Sequence, residues 1–292
     1  MIEVKQVGSE FVGLVNGVQV VKSKNAYYVN KKVKEVSSVK FVTPQIAPVE
    51  QFDINKRFDF TADLVSMVAK GQTASAVITG EGGLGKSFTV IQALRKAGLI
   101  DMSEKEPGDT AAPRSTYRIV KGFSTAKGLY RILYENRNSI IVLDDCDSVL
   151  KDADALNLLK GALDSFDKRL ISWNTSRVDD NLPRFFQFKG GIVFISNIAQ
   201  DKIDQAIRSR SMNVDLSMTT DQKITRMETL IGLDSFQPDL PKQAKVDALN
   251  LIKDLKNEAR EISLRTLIMV SRIRNTGKPD WKDLGRYMLV NG

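Results

Sequence analysis

The residues Gly80-Glu81-Gly82-Gly83-Leu84-Gly85-Lys86-Ser87 match the pattern G-x-x-x-x-G-K-[ST]. The glycines let a loop wrap with its backbone N–H groups pointing inward, and a helix opening behind it adds positive potential for phosphate. Lys86 is then placed to reach the β- and γ-phosphates of a nucleotide, Ser87 to put its hydroxyl on Mg²⁺, and Phe88 to complete the stretch. Further on, Ser139-Ile140-Ile141-Val142-Leu143 is an apolar run that ends in Asp144-Asp145. A strand of this kind beside a phosphate loop presents Asp144 to Mg²⁺ through water, and Asp145 to an attacking water as orienter or base. Cys146 reads as a small buried packing residue, and Asp147 as the cap of the next helix.

Such groups need a sheet to hold them. Ala76–Thr79, Tyr117–Val120, Ser139–Leu143 and Ile192–Ile195 read as strands, with helical spacing between them at Phe88, Ile91 and Leu94, at Leu129, Ile132 and Leu133, and from Ala155 to Phe166. A helix is expected over about 61–70. Strands that are apolar throughout, alternating with helices, argue for a parallel sheet buried on both faces. After Leu216 the pattern changes to four helices, over 219–232, 241–259, 263–275 and 280–290, with Ser263 a candidate N-cap.

Before residue 50 the pattern differs again. Phe11–Val15 and Val18–Val21 flank Asn16-Gly17, a hairpin signal, and Ala26-Tyr27-Tyr28-Val29 is a third strand candidate. Lysines 22, 24, 31, 32, 34 and 40 crowd these strands. They suit either guarded sheet edges or a docking or nucleic-acid-touching module. Thr43-Pro44 to Pro48 reads as a linker. The expected domains are a β-hairpin module over 1–48, an α/β nucleotide-binding domain over 49–217 and a helical domain over 218–292.

Composition removes several chemistries. The chain has 292 residues, no histidine, one cysteine and a formal net charge of +8. A Ser-His-Asp triad, a Cys-His pair, a histidine-assisted zinc site and an intrachain disulfide are therefore excluded. The apolar runs fall short of the ~18–20 residues that span a bilayer, and the start is not a signal peptide, so a cytoplasmic protein with no membrane partner is expected. Without a group titrating near neutrality, activity should be nearly flat from about pH 6.5 to 8.5.

In these motifs the chain resembles the AAA+ ATPases over roughly residues 50–290. The run ending at Asn197 looks like the sensor-1 strand, Ala206-Ile207-Arg208-Ser209-Arg210-Ser211 like the arginine-finger segment, and Ser263-Leu264-Arg265 like sensor 2. The resemblance implies a P-loop α/β module with a five-stranded parallel sheet between helices and a four-helix C-terminal lid. It implies ATP and Mg²⁺ as cofactors, ATP hydrolysis and a homo-oligomeric ring, commonly a hexamer. Asn197 would position the lytic water, Arg210 or Arg208 would reach into a neighbouring subunit's site, and Arg265 would contact the γ-phosphate. The segment from Phe52 to Ala69 sits where the family builds its adenine pocket. One departure stands out: most members carry Asp-Glu where this chain has Asp144-Asp145.

Two segments are candidates for gripping a substrate. Lys121-Gly122-Phe123 lies between a strand and its helix, where a tight turn is the alternative. The stretch with Lys168, Arg169, Trp173 and Arg177 is similar in placement to the basic hairpin of superfamily-three viral helicases; packing of Trp173 in the core is its alternative. Together with the net charge, these point to a ring motor or loader on DNA. A protein remodeller using residues 1–48 to engage a protein partner, and an ATP-gated assembly switch with slow hydrolysis, are the alternatives.

Overall fold

The computed structural model describes residues 2–15, 18–38, 52–104, 112–122, 125–165, 168–173 and 182–292. The chain divides into two units, Met1–Gln51 and Phe52–Gly292. The Asn16-Gly17 turn, the linker before Pro48, Phe123 and Arg177 lie outside the described residues.

In the first unit, β1 (Ile2–Val7), β2 (Glu10–Val15) and β3 (Val18–Ser23) form an antiparallel sheet in the order β1-β2-β3. The strand expected at Ala26–Val29 is instead the first turn of helix α1 (Ala26–Ser38). Asn25 caps it, its side-chain oxygen accepting from the Tyr28 N–H at 3.1 Å. Val29 and Val33, one turn apart, carry the packing and are fully buried. They sit over Gly13 of β2, where any Cβ would collide with Val33. The aromatic and β-branched residues that favour a strand here serve an amphipathic helix once this glycine supplies the slot.

The second unit holds a sheet of six parallel strands in the order β11-β4-β10-β7-β6-β5. These are β4 (Ser75–Thr79), β5 (Ile100–Asp101), β6 (Thr116–Lys121), β7 (Ile140–Asp144), β10 (Gly191–Ser196) and β11 (Met212–Asp215). The expectation of five strands is corrected to six. The extra one, β5, is a two-residue edge strand with no apolar run to announce it. Alternation along the inner strands divides two cores. Val77, Ile141, Leu143, Ile192 and Phe194 face one layer. Ala76, Ile78, Ile140, Val142, Val193 and Ile195 face the other.

Helices cover both faces. α2 (Ile54–Ala69) and α3 (Lys86–Lys96) pack on one; α4 (Ala126–Glu135), α5 (Ala153–Ala162) and α6 (Gln205–Ser209) pack on the other. α2 starts earlier than its apolar spacing indicates, because Asp53 caps it through the Asn55 and Lys56 N–H groups. A two-stranded antiparallel ribbon, β8 (Leu170–Ser172) with β9 (Phe185–Gln187), lies beside α5. Four further helices share their own core: α7 (Thr220–Ile231), α8 (Lys242–Asp254), α9 (Leu264–Asn275) and α10 (Trp281–Val290). Thr219 and Ser263 open α7 and α9 with capping boxes.

Candidate nucleotide-binding site

The loop after β4 turns on glycines. Gly80, Gly83 and Gly85 have φ of 136°, 72° and 92°, a region costly for any residue with a side chain. Gly85 is the N-cap of α3 and has no side chain with which to cap it. The helix's first N–H groups therefore stay available to an anion. Lys86 is buried and folds back over the loop. Its Nζ donates to Gly80 O at 2.6 Å, Glu81 O at 2.7 Å and Asn197 Oδ1 at 2.9 Å. Burial lowers its pKa from the usual lysine value, while Asp145 and Asp144 pull it back up and Arg265 adds to the lowering.

β7 ends beside this loop. The Ser87 hydroxyl donates to Asp144 Oδ1 at 2.9 Å. Asp144 Oδ2 pairs with the Lys121 ammonium at 3.1 Å, so this substrate-grip candidate, at the end of β6, reaches the acidic strand end. Asp145 takes a left-handed backbone, φ 56°, uncommon outside glycine but best tolerated by asparagine and aspartate. Its N–H donates to Ile195 O at 3.1 Å and its Oδ1 accepts from Asn197 Nδ2 at 2.8 Å. Asn197 thus bridges Lys86 and Asp145.

Asp147 does not cap α5; Asp152 does, through the Ala155 N–H. Asp147 instead accepts from the Ser196 hydroxyl at 2.6 Å, and Ser196 Oγ accepts from the Ile198 N–H at 3.0 Å. These bonds clamp the turn that presents Asn197. The helical layer closes the site. The Leu264 N–H donates to Gly83 O at 2.9 Å. A Cβ at Gly82 would touch Arg265 Nη1 and Asn197 Oδ1, both at 3.8 Å. Lys223 of α7 pairs with Glu81, a contact that no motif signals. Arg57 of α2 ties the base of α7, donating to Asp215 O and Ser217 O at 3.0 Å each.

The remaining candidates lie elsewhere. Phe88 is exposed, and exposed Phe52 stacks edge-on against Phe60 at 5.0 Å. Arg210 is exposed at the end of α6, where its Nη1 donates to Ala206 O at 3.1 Å. Arg208 is half-buried and its Nε is buried with no hydrogen-bond partner among the described residues. On the β8–β9 ribbon, Lys168 faces solvent but Arg169 is buried. Arg169 donates to Ala162 O at 2.8 Å and Gly190 O at 2.7 Å and lies over the Phe188 ring. Trp173 packs into the core against Tyr130, at 6.0 Å between ring centroids. Phe185 of the ribbon and Arg184 just before it are exposed, and no motif signals either.

Cys146 is buried, and its Sγ donates to Val120 O at 3.3 Å. Burial first, then the charge of Asp144, pushes its pKa up to about 11. The folded-state pKa lies above the unfolded one, so this group's contribution to stability is intact below about pH 9 and lost as the pH rises through about 11. In the native protein at pH 8, iodoacetamide should label Cys146 at least ~100-fold more slowly than in the urea-unfolded chain, read by mass spectrometry. Comparable rates would contradict the burial.

A glycine-turned phosphate loop, followed by a helix and flanked by acidic and polar strand ends on a parallel sheet, defines a P-loop-like α/β protein. In sequence the chain is 33% identical over 249 residues to the "Uncharacterized 36.7 kDa protein in nrdC-mobD intergenic region" of Enterobacteria phage T4, covering 79% of this chain and 73% of that one. The chain belongs to the family of that phage protein. No family model matches it. Among solved structures it aligns with PCH-2 of C. elegans at a TM-score of 0.39 and 12% identity, over 81% of this chain and 66% of that one, a likeness too distant to bear on function.

Proposed function

We propose that the chain is an ATP-hydrolysing AAA+ module that works in the cytoplasm as a homo-oligomeric ring, a hexamer, on DNA. The observation that carries the ATPase reading is the meeting of Lys86, Ser87, Asp144, Asp145, Asn197 and Arg265, from distant parts of the chain, around one glycine loop. ATP and Mg²⁺ fit these donors. Among the described residues no group of three or more Cys, Asp or Glu side chains could hold a metal unaided. Mg²⁺ would be held by Ser87 and Asp144 together with phosphate oxygens and water, its usual donor set, and would neutralise charge on the phosphates. Lys86 exchanges its three loop and Asn197 acceptors for phosphate oxygens. Asp145, oriented by Asn197, takes the proton of the attacking water. Arg265 carries positive charge from the 218–292 lid to the 49–217 nucleotide domain, and exposed Arg210, with Arg208 behind it, serves a neighbouring copy.

DNA as substrate is supported by the +8 charge and by Lys168, Arg184 and Phe185, exposed at or next to the β8–β9 ribbon. Among the described residues no helix is long and apolar enough to cross a membrane. The test is steady-state phosphate release with and without single-stranded DNA, alongside Asp145→Asn. Asparagine accepts the left-handed backbone but cannot take the proton. DNA should raise the wild-type rate several-fold in a salt-dependent way; Asp145→Asn should slow it by about 10²–10⁴-fold while ATP still binds. A rate indifferent to DNA removes the substrate half of the reading, and an active Asp145→Asn removes the catalytic assignment. An ATP-gated assembly switch is the second reading, favoured by the short Asp145 side chain being held on Asn197. It predicts assembly with a non-hydrolysable ATP analogue, and phosphate release no faster than Lys86→Ala.

A further inference from the structure

The helix of the first unit has two unlike faces. Val29 and Val33 close on the sheet. The opposite face carries Tyr27, 79% exposed, and Tyr28, 46% exposed. Lys24, just before the helix, and Lys31, Lys32 and Lys34 along it are also exposed. Tyr27, Lys31 and Lys34 stand at i, i+4 and i+7, one stripe of the helix surface, with Tyr27 and Lys31 ~6 Å apart along the axis. Glu35, at i+4 from Lys31, borders that stripe. It is the acidic residue of α1 and is bridged to Lys32 at 2.9 Å. Glu10 is bridged to Lys22 and Glu3 to Lys5, so each glutamate of the unit's described residues is engaged by a lysine. Six lysines stand against those three glutamates among the unit's described residues, and Lys31 shares one side of α1 with the two rings.

We infer that this face binds single-stranded nucleic acid, the phosphates running along Lys24 and Lys31 and unstacked bases lying on Tyr27 and Tyr28. Both ingredients are required by that occupant. Ammonium groups alone would suit any polyanion, whereas two exposed rings beside them supply π-faces on which bases stack. A duplex keeps its bases stacked on each other and offers the rings nothing. An acidic peptide satisfies the lysines but leaves the rings in water. The surface belongs to the first unit and the phosphate loop to the second, and its occupancy requires no nucleotide.

The full-length chain, without nucleotide, is titrated against a fluorescein-labelled 20-mer of deoxythymidine, by anisotropy, between 50 and 200 mM salt. The Tyr27→Ala/Tyr28→Ala variant should bind at least ~10-fold more weakly and lose the quenching of tyrosine emission that stacking causes. Lys24→Gln/Lys31→Gln should lower the slope of log affinity against log salt by about 1.4, at ~0.7 per phosphate contact. Far-UV circular dichroism checks that these surface replacements leave the fold unchanged. No wild-type binding, tyrosine variants that bind like wild type, or equal displacement of the strand by duplex or by polyglutamate would each overturn the inference. Any of these results leaves the phosphate-loop reading standing, because no ATP is present.

Discussion

Lys86→Ala should remove ATP binding at micromolar concentrations and lower phosphate release by at least about 10²–10³-fold, the loss that follows deletion of one well-placed charge-stabilising donor. The effect follows from where the ammonium sits. It is 5% exposed, its pKa is lowered by burial, and its acceptors in the free protein are two loop carbonyls and Asn197. Three neutral oxygens hold a cation less firmly than phosphate does, so the exchange on binding is favourable. The same accounting predicts little harm to folding. Alanine removes a desolvated charge, which offsets the loss of its bonds to the buried Gly80 carbonyl and to that of exposed Glu81. Isothermal calorimetry, phosphate release and thermal unfolding on one preparation separate these effects. A variant that still binds ATP at wild-type affinity would remove Lys86 from the site; one that unfolds would show that its loop contacts are structural.

The second large effect is on stability. Gly190→Ala should destabilise the Phe52–Gly292 unit by about 3 kcal/mol and lower its Tm by about 6–12 °C. The backbone there has no room. A Cβ on Gly190 would collide with the Ser139 carbonyl oxygen, at the start of β7, and crowd the Phe188 ring at 3.1 Å. Moving aside is blocked by Gly190 O, which accepts from Arg114 Nη2 at 2.9 Å and Arg169 Nη2 at 2.7 Å. Arg114 is tied in turn to Val68 O at the end of α2, and Arg169 to Ala162 O at the end of α5. One carbonyl therefore fastens both helical layers to the sheet, and displacing it costs a hydrogen bond each to buried Arg169 and half-buried Arg114. Gly161→Ala is the contrast. It lies in α5, where a Cβ would meet only Leu170 O at an ordinary 3.7 Å, so alanine should stabilise by about 0.5–1 kcal/mol. Calorimetric unfolding of both variants checks the pair. A Gly190→Ala protein as stable as wild type would mean that the carbonyl is free to move.

What the sequence made legible was local. The phosphate loop is a run of eight residues, and the inner strands announce themselves as apolar runs because both faces are covered. Ser263 is read as an N-cap because a cap acts within three residues. What stayed hidden was pairing across the fold. Lys223 with Glu81, Lys121 with Asp144, and Asp147 with Ser196 join residues far apart in the chain and match no spacing rule. Phase was the other gap. Lys168 and Arg169 are adjacent basic residues. Only the register of β8, with Ile171 inside and Leu170 outside, turns Arg169 inward. At Ala26–Val29 the side chains favoured a strand locally, and the slot at Gly13, more than ten residues earlier, decided for a helix.

The joint between the first turn of α9 and Gly83 has a thermodynamic meaning. A backbone hydrogen bond from Leu264 to the loop, and an ion pair from Lys223 to Glu81, make the helical layer part of whatever the loop holds. Any ligand that draws the loop inward while keeping these contacts also raises the free energy needed to open the four helices, and by reciprocity a loosened helical layer weakens the ligand. On the proposed reading a nucleotide would be a reversible cross-link between two layers of the protein, and its release a local melting event as much as a dissociation.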